Sequence, residues 1–145
     1  MNKYEFEAIM EKSSFNEKIE LIIHLGDVFE SYNKEIEDFD DIIQILIDYL
    51  VASNDEQVID EIIEAICKAQ IYQNTNNVNF DKIEANLIIV EEKFLPRYID
   101  ILSYTHNKKY LPSILRFRDS NNIHVKQAIA DALVEFGVAL HEDTK

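Results

Sequence analysis

The sequence predicts an all-α protein, because of its turn-forming residues and its hydrophobic spacing. Its 145 residues include only two glycines and two prolines, too few for a β-sandwich, a β-barrel or a nucleotide-binding βαβ unit. Apolar residues recur at intervals of three and four, whereas strict alternation is absent, which indicates a helical period throughout. Since 47% of the residues are apolar, a chain of this length can bury the core of one domain.

Two helices are predicted at the start of the chain. The first covers residues 3–12. Ser14 followed by Glu17 has the spacing of a capping box, which opens a second helix that runs to about Tyr32. His24 in this helix is expected in the core or at its boundary. The spacing assigns the buried face of the helix to Phe15, Ile19, Ile22, Ile23 and Val28.

A third and a fourth helix follow an acidic turn. The third covers residues 40–51, and its apolar surface is so wide that neighbours must cover it on more than one side. Cap residues at 53–56 open the fourth helix, 56–73. The polar stretch 73–79 is the expected internal seam of a single domain, 1–145. The inward side chains of the fourth helix are Val58, Ile62, Ala65, Ile66 and Ala69.

Further helices are expected in the second half of the chain. One opens at Asn79 and runs to about residue 92. Pro96 and Pro112 suit the first turn of a helix, because proline lacks the amide hydrogen that a later position would need. The predicted helices 95–104, 109–118 and 123–140 complete a set of about eight antiparallel helices.

A repeated pattern relates the fourth helix to the last one. Aligning residues 54–69 with 121–136 pairs apolar residues at a constant offset of 67, which corresponds to two periods of about 33 to 34 residues. Each matched position lies on one face of its helix, and a small residue there allows a partner helix to approach closely. The pairs are Val58 with Val125, Ile62 with Ile129, Ala65 with Ala132 and Ile66 with Leu133.

The segment 110–137 resembles a HEAT repeat. Positions typical of that family are occupied by Leu111, Pro112, Leu115, Asp119, Val125, Lys126, Ala132 and Leu133, while Ile129 replaces the usual alanine. The spacing is shorter than the usual period of that family, which is near 40. The resemblance implies a short right-handed α-solenoid of HEAT or ARM-like repeats.

The charge is large and unevenly distributed. The formal net charge is −14; residues 1–92 hold 22 acidic and 6 basic side chains, whereas residues 93–126 hold 2 and 7. Because affinity for phosphate is built from lysines and arginines, this balance disfavours nucleic acid and anionic membranes as partners and favours a basic protein. We interpret the basic segment as neutralising acidic side chains, with phosphate binding as the alternative. Its members are Lys93, Arg97, Lys108, Lys109, Arg116, Arg118 and Lys126.

Neither catalytic nor metal-binding motifs are recognisable. Cys67 has no intrachain cysteine partner and lies among helix-core residues, where an inert buried thiol is expected. The histidines lack the spacing of a zinc site, and neither a Gly-x-Ser-x-Gly elbow nor a glycine-rich phosphate loop occurs. The sequence therefore predicts no enzyme, no metal and no cofactor. The start of the chain lacks a signal-peptide pattern, so a cytoplasmic location is expected.

The candidate partner-binding residues are carboxylates on the third and fourth predicted helices, together with two tyrosines as anchors. In a solenoid, the exposed strips of consecutive helices would lie side by side and form one negative face. Any single one of these carboxylates could instead be a solvated surface residue without a binding role. The candidates are Asp41, Asp48, Tyr49, Asp55, Glu56, Asp60, Glu61, Glu64 and Tyr72.

Three function classes fit these features. A small, acidic, glycine-poor α-solenoid resembles the HEAT-like immunity proteins of bacterial polymorphic or contact-dependent toxin systems, and this resemblance implies an inhibitor of a basic toxin such as a nuclease, encoded by a neighbouring gene. The alternative is a HEAT-like scaffold or assembly subunit that binds a peptide in its groove. The third class is a HEAT-like DNA glycosylase or chromophore lyase, which would need a specific acid in a basic or aromatic groove.

Overall fold

The computed structural model describes residues 1–138, and within this range the chain forms α-helices and one short 3-10 helix, without a strand. The all-α prediction is confirmed. None of the helices between residues 1 and 138 combines the length and the apolar character needed to cross a membrane. The helices are α1 (Lys3–Lys12), α2 (Phe15–Glu30), α3 (Phe39–Ala52), α4 (Glu56–Tyr72), α5 (Asp81–Asn86), α6 (Leu95–Ser103), the 3-10 helix (Lys108–Tyr110), α7 (Leu111–Leu115) and α8 (Ile123–Glu135).

The contacts divide the chain into two compact units. The first unit, Met1–Asn79, contains α1 to α4, and the second unit begins at Phe80 and contains α5 to α8. The division falls at the end of the polar stretch 73–79. The organisation as one solenoid domain with a seam in that stretch stays a prediction.

Side-chain caps open the two longest helices of the first unit. The Ser14 hydroxyl accepts the N–H of Glu17 at 3.3 Å and donates to its carboxylate at 2.9 Å. An Asp55 carboxylate oxygen accepts the N–H of Val58 at 3.0 Å. Both residues satisfy amide groups that a helix start leaves without an intrahelical partner. The sequence therefore placed the starts of α2 and α4 correctly.

The helices α2 and α4 pack closely and run in the same direction. Gly26 permits the approach, since a Cβ atom there would lie 3.7 Å from the Cα atom of Ala65. One turn further along both helices, Lys68 reaches Glu30. Just past the end of α4, the Gln73 side-chain amide nitrogen donates to the carbonyls of Phe29, Ser31 and Asn33. Later residues of α2 thus contact later residues of α4, which shows that the two helices run in the same direction.

The helices α1 and α3 are related in the same way. The backbone N–H of Lys3 donates to the Asp38 carboxylate at 2.9 Å, so the two helices start beside each other. Lys3 and Asp38 are 35 residues apart in the chain, and Lys3 and Asp41, which are also hydrogen-bonded, are 38 residues apart. Alternate helices in the first unit therefore lie side by side.

The second unit repeats this arrangement with a shorter step. The Tyr110 hydroxyl donates to the Asp81 carboxylate at 2.7 Å, and the Ser113 hydroxyl donates to Glu84 at 2.8 Å. Both bonds join residues 29 positions apart, which places α5 beside α7. The helices α6 and α8 form the main packing contact of this unit.

Several predicted helix ends are wrong. The helix predicted to reach residue 92 ends at Asn86 and is followed by turns up to residue 94. The β-branched run that begins at Ile88 loses rotamer freedom in a helix, and Ile88 and Ile89 are 63% and 73% exposed. The predicted helix 109–118 is the 3-10 helix plus the short α7. The last helix begins at Ile123 as expected and ends at Glu135; the predicted positions 139–140 lie outside the described residues.

The buried face of α2 differs from the predicted one. Leu25 and Phe29 are buried, whereas Phe15 and Ile23 are largely exposed. His24, expected in the core or at its boundary, is exposed. The reason is a rotation of the face toward Gly26, where α4 approaches. Of the residues paired by the repeat, all are buried except the half-buried Val58: Val125, Ile62, Ile129, Ala65, Ala132, Ile66 and Leu133.

Candidate functional site

The predicted acids of α3 lie on the exposed side of that helix. The side of α3 that packs against α1 and α4 is formed by buried isoleucines and leucines. Asp41 and Asp48 occupy the opposite, exposed side. Asp41 also pairs with the Lys3 ammonium at 3.1 Å, and this hydrogen bond raises the pKa of Lys3. Asp41 and Asp48 therefore lie on the side of α3 that faces away from its apolar contact with α4.

The carboxylates of α4 instead share a side with those of α2. Because α2 and α4 are parallel neighbours, their outer strips lie next to each other. The sequence analysis did not name the α2 members, although Glu20 and Asp27, seven residues apart, lie on the side of that helix away from its apolar residues. We define the α2/α4 anionic face as Glu20, Asp27, Glu30, Glu56, Asp60, Glu61 and Glu64, all exposed except the half-buried Glu61.

A lysine lies within the α2/α4 anionic face. The Lys68 ammonium is 3.6 Å from the Asp27 carboxylate and 3.3 Å from the Glu30 carboxylate. The hydrogen bond to Glu30 contributes most to raising the pKa of Lys68, and it outweighs the opposing effect of burial. The α2/α4 anionic face thus combines seven carboxylates with an ammonium group that bridges its two helices.

Two of the predicted partner-binding residues, Asp55 and Tyr72, lie at the two ends of α4. Asp55 caps the first turn, so one of its carboxylate oxygens is already occupied. Tyr72 is the last residue of the helix and is 43% exposed, and its carbonyl accepts from the Lys34 ammonium. Its side chain lines a cavity of about 380 Å³ together with Phe39 and Gln73.

Tyr49 lines a different cavity, of about 320 Å³, which we name the end pocket. It lies where α1 and α3 end and α2 and α4 begin. Burial raises the pKa of Tyr49, and the negative charges of Glu11 and Glu7 raise it further. The carboxylates of α1 therefore act on the same tyrosine that lines the pocket. The lining residues are Met10, Phe15, Lys18, Tyr49, Ala52, Ser53, Asp55 and Val58.

The second unit holds a smaller cavity of about 220 Å³, between α6 and α8. Burial raises the pKa of Asp100 in its wall to about 6; the charge of Asp131 raises the pKa further, and Arg97 opposes the shift. Tyr104 and Glu135 also line this cavity.

Lysines of the basic segment pair with acids in the second unit. The Lys109 ammonium is 3.0 Å from the Asp81 carboxylate, and the Lys93 ammonium is 3.5 Å from Glu91. These pairs lower the local positive charge available for phosphate.

Among residues 1–138, histidine, cysteine and carboxylate side chains form no group of three or more that could hold a metal ion. Cys67, expected to be buried, is half-buried. Comparisons with protein-family models, with curated proteins and with solved structures find no match to this chain.

Proposed function

We propose that this chain is a protein-binding inhibitor, an immunity protein that neutralises a basic bacterial toxin in the cytoplasm by electrostatic capture and occlusion. The observation that carries the proposal is the α2/α4 anionic face, where two parallel helices expose seven carboxylates and two of these, Asp27 and Glu30, meet Lys68 across the helix pair. The first unit as a whole has 18 acidic and 5 basic side chains.

Concentrated like charge destabilises a folded domain through self-repulsion. The carboxylates of one face lie within a few screening lengths of each other, since the Debye length is about 8 Å at physiological salt. A cationic protein surface relieves this repulsion and gains attraction, and complementary fields also accelerate the encounter of the two proteins. The face therefore suits a basic macromolecule better than a small ligand.

We further propose that the chain forms a right-handed, HEAT-like α-solenoid in which consecutive helices are antiparallel. The side-by-side, same-direction packing of α2 with α4 and of α1 with α3 supports this arrangement, because a solenoid stacks equivalent helices of successive repeats in layers. In such an architecture α2 and α4 belong to one layer of helices, and the α2/α4 anionic face is part of the outer surface of that layer.

The test is co-expression with the product of the adjacent upstream gene, comparing the wild type with an Asp60→Lys, Glu64→Lys double variant. The matched control is Glu35→Lys, Glu37→Lys, which changes the charge equally at exposed positions between α2 and α3. Close interfacial charge pairs contribute several kcal/mol, so we expect the face variant to bind at least about 100-fold more weakly, and the control to change by less than about threefold.

The same proteins are compared by calorimetry at about 50 and 300 mM NaCl, where wild-type affinity should fall as screening increases. Salt-independent binding would instead favour a scaffold that recognises an apolar peptide. The proposal fails if the neighbouring product is neither toxic nor bound, or if both charge variants lose affinity equally.

A further inference from the structure

The end pocket of the first unit combines an apolar interior with an acidic surround. Met10 is almost fully buried at its base, and Tyr49 and Val58 are half-buried in its wall. Phe15, the first residue of α2, remains 44% exposed. Such a concave apolar surface loses water favourably when an apolar side chain enters it.

The charges around this pocket are mostly negative. Glu7 and Glu11 on α1 are close enough to act electrostatically on Tyr49, and Asp55 lies in the lining with the cation Lys18. The combination of an apolar cavity with surrounding carboxylates is complementary to an apolar side chain flanked by lysine or arginine. Protein interfaces concentrate their binding energy in anchors of this kind, placed in pockets and surrounded by polar groups.

We propose that the end pocket receives a leucine-sized or larger apolar side chain from the basic partner protein, while lysines or arginines beside that side chain pair with Glu7 and Glu11. This inference rests on the proposed capture of a basic protein. It gives that partner a second contact region, the end pocket, besides the α2/α4 anionic face. The electrostatic face then sets the rate of encounter, and the end pocket sets the lifetime of the complex.

Two labelled synthetic peptides test the pocket directly. They have the same length and the same number of lysines in a helical pattern, but one carries leucine and the other serine along the remaining face. Binding to the full chain is measured by fluorescence anisotropy. Burial of one such side chain predicts about tenfold tighter binding of the leucine peptide, and NMR shifts should centre on Met10, Tyr49 and Val58.

Ala52→Phe fills the pocket from an exposed position at the end of α3, so we expect it to remove the preference for leucine without unfolding the unit. Gln57→Phe is the matched control, since Gln57 is exposed and outside the lining. Thermal unfolding of both variants checks the fold. Glu7→Gln with Glu11→Gln should weaken both peptides.

The outcomes separate the two proposals. Equal affinity for the two peptides, with shifts at Asp27, Glu30 and Glu64 but not at Met10, Tyr49 and Val58, overturns the role of the end pocket and leaves electrostatic capture standing. Failure of both peptides and of every basic neighbouring gene product to bind overturns the proposed function itself, and the pocket assignment with it.

Discussion

The first unit carries 18 acidic and 5 basic side chains, whereas the sequence from Phe80 onward carries 10 and 9. Both units nevertheless pack alternate helices beside each other and bury aliphatic faces of the same kind. A nearly neutral surface is therefore sufficient for this type of packing. The first unit therefore carries more carboxylates than its fold requires. For this reason we assign them to the binding of a partner protein.

The units also differ in the spacing of equivalent helices. Hydrogen-bonded partners are 35 and 38 residues apart between α1 and α3, but 29 apart between α5 and α7. The helices α5 and α7 have six and five residues, which shortens the step. A uniform period of about 33 to 34 residues, read from the sequence, averages two different local spacings.

The largest expected effect concerns the close approach of α2 and α4. Gly26→Leu should lower the free energy of unfolding by about 2 kcal/mol, because a branched side chain must displace α4. Gly26→Ala is the control: its Cβ would lie 3.5 Å from Lys68 Cδ, an ordinary contact, and the gain in helix propensity should stabilise the chain by about 0.5 kcal/mol. Urea unfolding measures both, and equal destabilisation would contradict the close packing.

An intermediate effect is expected from Asp100 in the second unit. Its raised pKa, about 6, means that the folded state holds the proton more tightly than the unfolded state. Its contribution to stability therefore falls as pH rises from about 4 to about 6 and stays low above that range.

Asp100→Asn removes this penalty. Because the side chain is partly exposed and screened, we expect a gain of about 1 kcal/mol near pH 7.5 and almost none near pH 4. Urea unfolding at the two pH values provides the measurement. Asp119→Asn is the control at an exposed position. A gain that is independent of pH would contradict the assigned cause.

The smallest effect is a difference in salt response between the units. Raising NaCl from about 50 to 500 mM should slow amide hydrogen exchange in α2 and α4 by about threefold through screening of carboxylate repulsion, with a smaller change in α6 and α8. Mass spectrometry of peptic fragments reports the two units separately. Equal slowing in both would show that the charge difference has little effect on stability.

The sequence predicts the helical class, the starts of α2, α4 and α8, and the proline positions well, because caps, prolines and apolar spacing are local signals. The sequence analysis fails where tertiary contacts determine the buried face or the end of a helix. The rotation of the α2 face toward Gly26 and the early end of α5 depend on which neighbour packs against each helix. For the candidate site, the sequence analysis named the α4 acids and not the α2 acids, because the pairing of α2 with α4 cannot be read from spacing alone. The binding role of both sets stays a prediction.

The side-chain amide of Gln73 donates to three carbonyls at and just beyond the end of α2, 40 to 44 positions earlier in the chain. The last turn of α2 consequently lacks this support until α4 has docked along its whole length. The final turns of both helices should then melt together as one cooperative event, although they are distant in the chain. A cut or insertion in the polar stretch after α4 would therefore weaken the end of α2, and it would also reach α3, because the Gln44 side chain bonds both backbone groups of Asn79.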